Sequence, residues 1–307
     1  MAFSRRQVNI LCADCSSMRV QIMGAGALGS LVGALMQLSG FDVIFVARGK
    51  QLSALKNRLR VSGLIEAELD VHAVAKPENA DITFVTVKAY DTEEAAKKLA
   101  EVDPGIVCSL QNGVGNEEIL QKYCDKVLGG VTSYAANLAD YGHVVYAGEG
   151  LTYVGELDGR MSDEAFKVAE ALRRAGIKAE AVSDIQFRIW AKAVVNAAIN
   201  PITALCKVRN GMVVENDNLW KVARSVAEEG RKVMLKMGYD FDAVSEIKRV
   251  AEMTAKNRSS MLQDVEKGKR TEIDFINGAI VEKGREMGID CPVNETLLHL
   301  IKGIERG

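Results

Sequence analysis

The chain predicts an α/β amino-terminal domain of Rossmann type with a mostly parallel sheet, followed by an all-α carboxy-terminal domain. Three observations predict it. The apolar strand Arg19-Val20-Gln21-Ile22-Met23 runs directly into Gly24-Ala25-Gly26-Ala27-Leu28-Gly29 and then into a helix. Strand and helix patterns alternate from there to about residue 183. Beyond Ser183-Asp184 no segment reads as a strand, and helical periodicity takes over. The expected divisions are an extension at 1–17, a dinucleotide-binding domain at 18–183 and a helical domain at 184–307.

The extension MAFSRRQVNILCADCSS precedes Met18. Ser4-Arg5-Arg6 is a weak match to an export signal, because the apolar part that follows is too short. Cys12 and Cys15 have metal-pair spacing but no companion pair, so no metal is expected. A flexible extension or an early start is the simpler account. From Met18 the glycine turn assigns one task to each glycine: Gly24 for the tight turn, Gly26 for close approach to a pyrophosphate, Gly29 for packing helix on strand. The helix over 27–39 would meet the phosphates with its amino-terminal amides. Strand 42–46 ends at Ala47-Arg48, where an acidic residue for ribose hydroxyls is absent. A guanidinium there suits the 2′-phosphate of NADPH, with NADH as the alternative if Arg48 only stacks on adenine.

Strands at 81–87 and 106–110 and helices at 92–100 and 116–123 continue the alternation. Lys88 and Gln111-Asn112-Gly113 follow the two strand ends, where ligands of such sheets bind. A solvated strand end and ordinary turn chemistry explain them equally well. Residues 132–156 read as antiparallel strands completing the sheet, followed by a helix at 161–175 and a strand at 178–182.

The helical domain is expected at 184–205, 217–237, 242–256, 259–267, 273–287 and 294–305. In WAKAVVNAAINPITAL (Trp190 to Leu205), Lys192, Asn196 and Asn200 recur every fourth residue on an otherwise apolar helix. Each step of four advances roughly 40°, which makes one narrow polar stripe. Buried without partners, an amine and two amides would cost several kcal/mol, roughly, so the stripe should face a ligand, water or neighbouring helix ends. Pro201 should break or kink that helix. A second polar cluster runs from Asn257 to Asp264, with Lys269-Arg270-Thr271-Glu272 after it. Ser259 or Ser260 and Thr271 could cap helices there.

A formal charge of −2 gives no basic surface for nucleic acid, and no apolar run reaches membrane-span length. Six scattered cysteines in 307 residues suit free thiols in the cytoplasm. A homodimer is the expected assembly, as the commonest one.

From Met18 onward the chain resembles the ketopantoate reductase family. The resemblance is carried by GAGALG (Gly24 to Gly29), VKAY (Val87 to Tyr90), QNGVGNEE (Gln111 to Glu118), WAKAVVNAAINPITAL and NRSSMLQDVEKGKRTEIDFINGAIV (Asn257 to Val281). It implies NADPH-dependent reduction of ketopantoate to pantoate, on the way to pantothenate and coenzyme A. It makes Lys192 the catalytic lysine and Glu272 a carboxylate at the reacting end, in contact with substrate and cofactor. It gives substrate contacts to Asn196, Asn200, Asn257, Ser260 and, by a looser match, Asn210. It gives Asn112 to ribose and substrate, Arg48 to the 2′-phosphate and Lys88 to cofactor or substrate. Two rival readings stand beside it: a related reductase of another 2-keto acid, and an NADPH-binding regulator without turnover.

Overall fold

The computed structural model describes residues 18–305, so the expectations for Arg5-Arg6 and for Cys12 and Cys15 lie outside the described residues. The chain divides into two units. One holds the chain up to Val87 with Asp91–Gln111 and Ile119–Ile185; the other holds Lys88–Tyr90, Asn112–Glu118 and everything from Gln186 on. The short pieces 88–90 and 112–118, each directly after a strand end, therefore group with the helical part.

The first unit carries, in order, β1 (Arg19–Met23), α1 (Ala27–Leu38), β2 (Asp42–Val46), α2 (Gly49–Asn57), β3 (Leu59–Gly63), β4 (Ala67–Leu69), β5 (His72–Val74) and β6 (Ile82–Val85). It continues with α3 (Thr92–Leu99), β7 (Ile106–Ser109), β8 (Val127–Thr132), β9 (Ala135–Asp140), β10 (His143–Gly148), β11 (Thr152–Gly155), α5 (Asp163–Arg174) and β12 (Ala179–Ala181), while α4 (Asn116–Leu120) straddles the two units. Eight strands form one sheet in the order β12-β11-β8-β7-β6-β1-β2-β5. Every pairing in it is parallel except β11 on β8. Strands buried on both faces read as continuous apolar runs, and β6 and β7 are buried at every position.

The expectation for 132–156 is corrected in part. Only β11 completes the main sheet; β9 and β10 leave it and join β3 and β4 in a second, four-stranded sheet of order β4-β3-β10-β9. β9 and β10 pair antiparallel, while β10 runs parallel to β3. The short helix α2 also escapes a reading by periodicity, because Leu55 is its one buried residue.

The second unit carries α6 (Ile185–Cys206), α7 (Met212–Glu215), α8 (Asp217–Lys236), α9 (Ala243–Met253), α10 (Ser260–Glu266), a 3₁₀ turn at Ile273–Phe275, α11 (Asn277–Glu286) and α12 (Pro292–Ile304). The single helix expected at 273–287 is thus a turn and a helix. Pro201 does not end α6, which continues through it to Cys206. By length and composition α6 does pass for a membrane span, contrary to the expectation from the sequence, but 78% of its apolar window is buried inside the protein. Its side chains Val194, Ala197, Ala198 and Ile202 centre a core shared with Val226 and Val233 of α8, Ile280 of α11 and Ile301 of α12.

Candidate functional site

In the first unit the glycine turn separates three roles by geometry. Gly24 has φ +107°, a left-handed backbone, and a Cβ there would meet the Val87 backbone at 2.7 Å. At Gly29 a Cβ would lie 2.4 Å from both the Gly24 carbonyl oxygen and Thr86 Oγ1, so this glycine lets α1 close on the sheet. Thr86 Oγ1 seals the same contact by donating to the Gly24 carbonyl at 2.7 Å. At Gly26 a Cβ would meet nothing within 4 Å. Gly26 is exposed and is the N-cap of the twelve-residue α1, with no side chain capping the helix amides. That uncapped, open helix start fits an anionic group of a dinucleotide. Ala25 is buried, and its carbonyl is held by Ser30 Oγ at 3.1 Å and Gln51 Nε2 at 2.8 Å. Ala27 and Leu28, half-buried, open the helix itself.

Arg48 stands at the end of β2 as the N-cap of α2. Its side chain is 70% exposed, with Nη2 at 2.5 Å from Asp91 Oδ2 and Nη1 at 3.6 Å from Glu94 Oε2. Such exposure leaves the pair weak and exchangeable.

The second unit assembles a charged cluster around Glu272, a residue only 5% exposed. Its Oε1 accepts the backbone amide of Ala89 at 3.1 Å, and its Oε2 lies 3.2 Å from Lys88 Nζ. Lys88 Nζ also donates to Asp264 Oδ2 at 2.7 Å. Burial acts against the Lys88 charge, but Glu272 and then Asp264 outweigh it and hold the ammonium above its ordinary value. Lys192 is set differently: burial pushes it down to about 8, and Glu272 pulls only partly the other way. The unit thus holds one lysine fixed as a cation and one poised near neutrality.

On α6, Asn196 is half-buried and Asn200 is buried, four and eight residues beyond Lys192. Asn257 and Ser260 are exposed. Ser259, not Ser260, caps α10, accepting the Leu262 amide at 3.0 Å, and Thr203 Oγ1 of α6 lies 2.7 Å from Ser259 Oγ. This contact ties the Asn257–Ser260 segment to the helix that carries the stripe. Asn112 is half-buried, its carbonyl accepting from Asn116 Nδ2 at 3.0 Å. The same loop is fixed two residues later, where Val114 donates to the Phe275 carbonyl at 2.9 Å, three residues after Glu272. Asn210 is buried, its amide nitrogen bonded to Thr254 Oγ1 at 3.0 Å and its backbone N–H to the Asn257 carbonyl at 3.0 Å. Its side chain thus braces the segment holding Asn257.

The structure therefore gathers Lys88, Lys192 and Glu272 electrostatically, and Asn210 with Asn257 by backbone contact. The glycine turn and Arg48 belong to the other unit. Asp264 is the member that sequence reasoning passed over. It stood inside a polar cluster already singled out, and its signal was an acid on a turn of helix whose neighbours Met261 and Leu262 are buried.

The chain matches the family model "Ketopantoate reductase PanE/ApbA" over residues 20–159 and its companion "Ketopantoate reductase PanE/ApbA C terminal" over 184–305. It is 76% identical over 289 residues to a 2-dehydropantoate 2-reductase of Archaeoglobus fulgidus, covering 94% of this chain and 98% of that protein. Among solved structures it is similar to a PanE/ApbA family ketopantoate reductase from Ralstonia eutropha JMP134, at 32% identity and TM-score 0.87, over 94% of this chain and 98% of that one. It is also similar to a D-mandelate dehydrogenase solved with NADH and anilino(oxo)acetate, at 26% identity and TM-score 0.87, with the same coverage.

Proposed function

Since the chain belongs to the ketopantoate reductase family, an NAD(P)-dependent group, we propose that it reduces 2-dehydropantoate to pantoate with Lys192 as the proton donor. The observation that carries the assignment of roles is the contrast between two lysines near one carboxylate, Lys88 held charged and Lys192 near its titration point.

When bound, the reduced nicotinamide supplies a hydride to the keto carbon. Electrons of the carbonyl then collect on its oxygen, which needs a positive partner and finally a proton. The Lys192 ammonium gives that oxygen a charge-assisted hydrogen bond and then its proton, leaving a neutral amine to be recharged from solvent. A pKa near 8 suits this task, since the group is mostly protonated at neutral pH yet gives up its proton readily. Glu272 favours the ammonium and orients the Lys88 side. Asn196, Asn200, Asn257 and Ser260 do not titrate, and their part is to hold the acid and hydroxyl of the substrate in reach. Asn112 and Lys88 serve cofactor or substrate next to them, and Asn210 acts from behind Asn257.

For the dinucleotide, Gly24 to Gly29 fit the pyrophosphate, and Arg48 favours NADPH over NADH through the 2′-phosphate. A homodimer in the cytoplasm, engaging neither nucleic acid nor membrane, completes the reading. Gel filtration with light scattering tests the assembly. Loss of reduced-nicotinamide absorbance on adding 2-dehydropantoate, run with each cofactor, tests the activity and the preference. No oxidation with either cofactor would end the assignment. The likeness to a D-mandelate dehydrogenase favours one second reading, a reductase of an aryl-substituted 2-keto acid. A tenfold higher kcat/KM for an aryl keto acid than for 2-dehydropantoate, about 1.4 kcal/mol in transition-state binding, would select it.

A further inference from the structure

Pro201 removes one backbone donor from α6, the helix that carries Lys192, Asn196 and Asn200. In an uninterrupted helix the amide of residue 201 would bond the carbonyl of Ala197. Ala197 is fully buried, so water does not substitute for that donor. A side chain from another helix takes the place instead: Asn277 Nδ2 donates to the Ala197 carbonyl at 3.1 Å. Asn277 opens α11 and is itself fully buried. Its other amide hydrogen goes to Asn294 Oδ1, also at 3.1 Å.

Asn294 is oriented in turn. Its Nδ2 donates to Glu229 Oε2 at 2.7 Å and its backbone amide to the same oxygen at 2.9 Å, while Glu229 Oε1 accepts the Val293 amide at 2.9 Å. The relay has one polarity. A carboxylate that only accepts stands at one end, a carbonyl that only accepts stands at the other, and both asparagines must point their nitrogens accordingly. Asn277 has then spent both hydrogens, one on the relay and one on α6.

We propose that Asn277 is a positioning residue for the reduction: its carboxamide fills the hydrogen-bond gap that Pro201 opens in α6 and fixes how that helix presents Lys192 and the asparagine stripe. The inference rests on the reading of Lys192 as proton donor. Without Asn277 the buried carbonyl finds a partner only if the helix bends at the proline or admits water into its ladder. Either change displaces Lys192 from Glu272 and from the substrate, and small displacements cost much in rate. An unbroken helix would need no such partner. The proline turns a self-contained helix into one whose geometry depends on a named contact with α11.

The test is a double-mutant cycle on the full chain, assayed with NADPH and 2-dehydropantoate. Asn277→Leu keeps the size and removes both donors; Pro201→Ala restores the backbone N–H. In the native background N277L should lower kcat by about tenfold or more and move the basic limb of the kcat/KM profile, with KM for NADPH unchanged. In the Pro201→Ala background the same substitution should change kcat by less than about twofold, because the carbonyl is already satisfied. Equal losses in both backgrounds would overturn the proposal, as would a lowered Tm with kcat and pH limb unmoved. Asn277→Ser, which keeps one hydrogen, replaces Leu in the cycle if N277L does not fold. Lys192→Ala in the same assay separates the two claims. Near-normal turnover there removes the role of Lys192, whereas slow turnover with an additive cycle removes only that of Asn277.

Discussion

Two lysines share one carboxylate and are driven in opposite directions, which assigns them different work. Lys88 has Glu272 and Asp264 within 3.2 Å and 2.7 Å and stays a cation through any working pH. Lys192 has burial against it, which outweighs the pull of Glu272 in its favour, so it titrates near 8. In the proposed mechanism the protonated form is the one that reduction consumes. In the free enzyme kcat/KM for reduction should hold level below about pH 8 and fall about tenfold per unit above it. Oxidation of pantoate needs the neutral amine, so its profile should rise through the same pH. A reduction profile without a limb between about pH 7 and 9 would contradict the assignment. Replacing Lys192 by Ala should lower kcat by about 10² to 10⁴, measured by single-turnover oxidation of the cofactor so that product release does not mask it.

The glycines of the turn before α1 look alike in sequence, yet the structure asks opposite things of them. Gly29→Ala drives a methyl to 2.4 Å from a carbonyl oxygen and a threonine hydroxyl, and should destabilise the protein by about 1–3 kcal/mol in thermal unfolding. Gly26→Ala puts its methyl in open space, and should change stability by no more than about 1 kcal/mol while raising KM for the dinucleotide at least about tenfold. If both variants lose stability alike, the open space at Gly26 is not a phosphate seat. This turn was legible in the sequence because its constraints are local, three glycines between a strand and a helix. The Lys192–Asn196–Asn200 stripe was legible for the same reason, as a period of four on an apolar helix. The small sheet built on β3 and β4 was not, since β4 pairs only with β3, and β3 finds its other partner far along the chain in β10. Asn277 and Asn294 were likewise opaque, because what they satisfy, the Ala197 carbonyl and Glu229, stands 80 and 65 residues away.

Each unit encloses its own core. Val20, Ile22, Phe45 and Phe84 centre one in the first unit, and Val194, Val226, Ile280 and Ile301 centre the other in the second. A ligand stabilises a protein through the part it binds, by an amount set by its concentration over Kd and worth about 2.7 kcal/mol at a hundredfold excess. In the proposed reading the phosphate-bearing half of the dinucleotide meets the glycine turn and Arg48, which lie in the first unit, whereas Lys192 lies in the second. Calorimetry with NADPH and no keto acid should therefore show the same rise in Tm for wild type and Lys192→Ala. Arg48→Ala should reduce the NADPH-induced rise to that given by NADH, because a 2′-phosphate without its guanidinium has no advantage over a hydroxyl. An undiminished gap between the two cofactors in Arg48→Ala would take the 2′-phosphate away from Arg48. Loss of the NADPH shift in Lys192→Ala would mean that dinucleotide affinity is set in the helical unit, against the division of labour argued from the glycine turn.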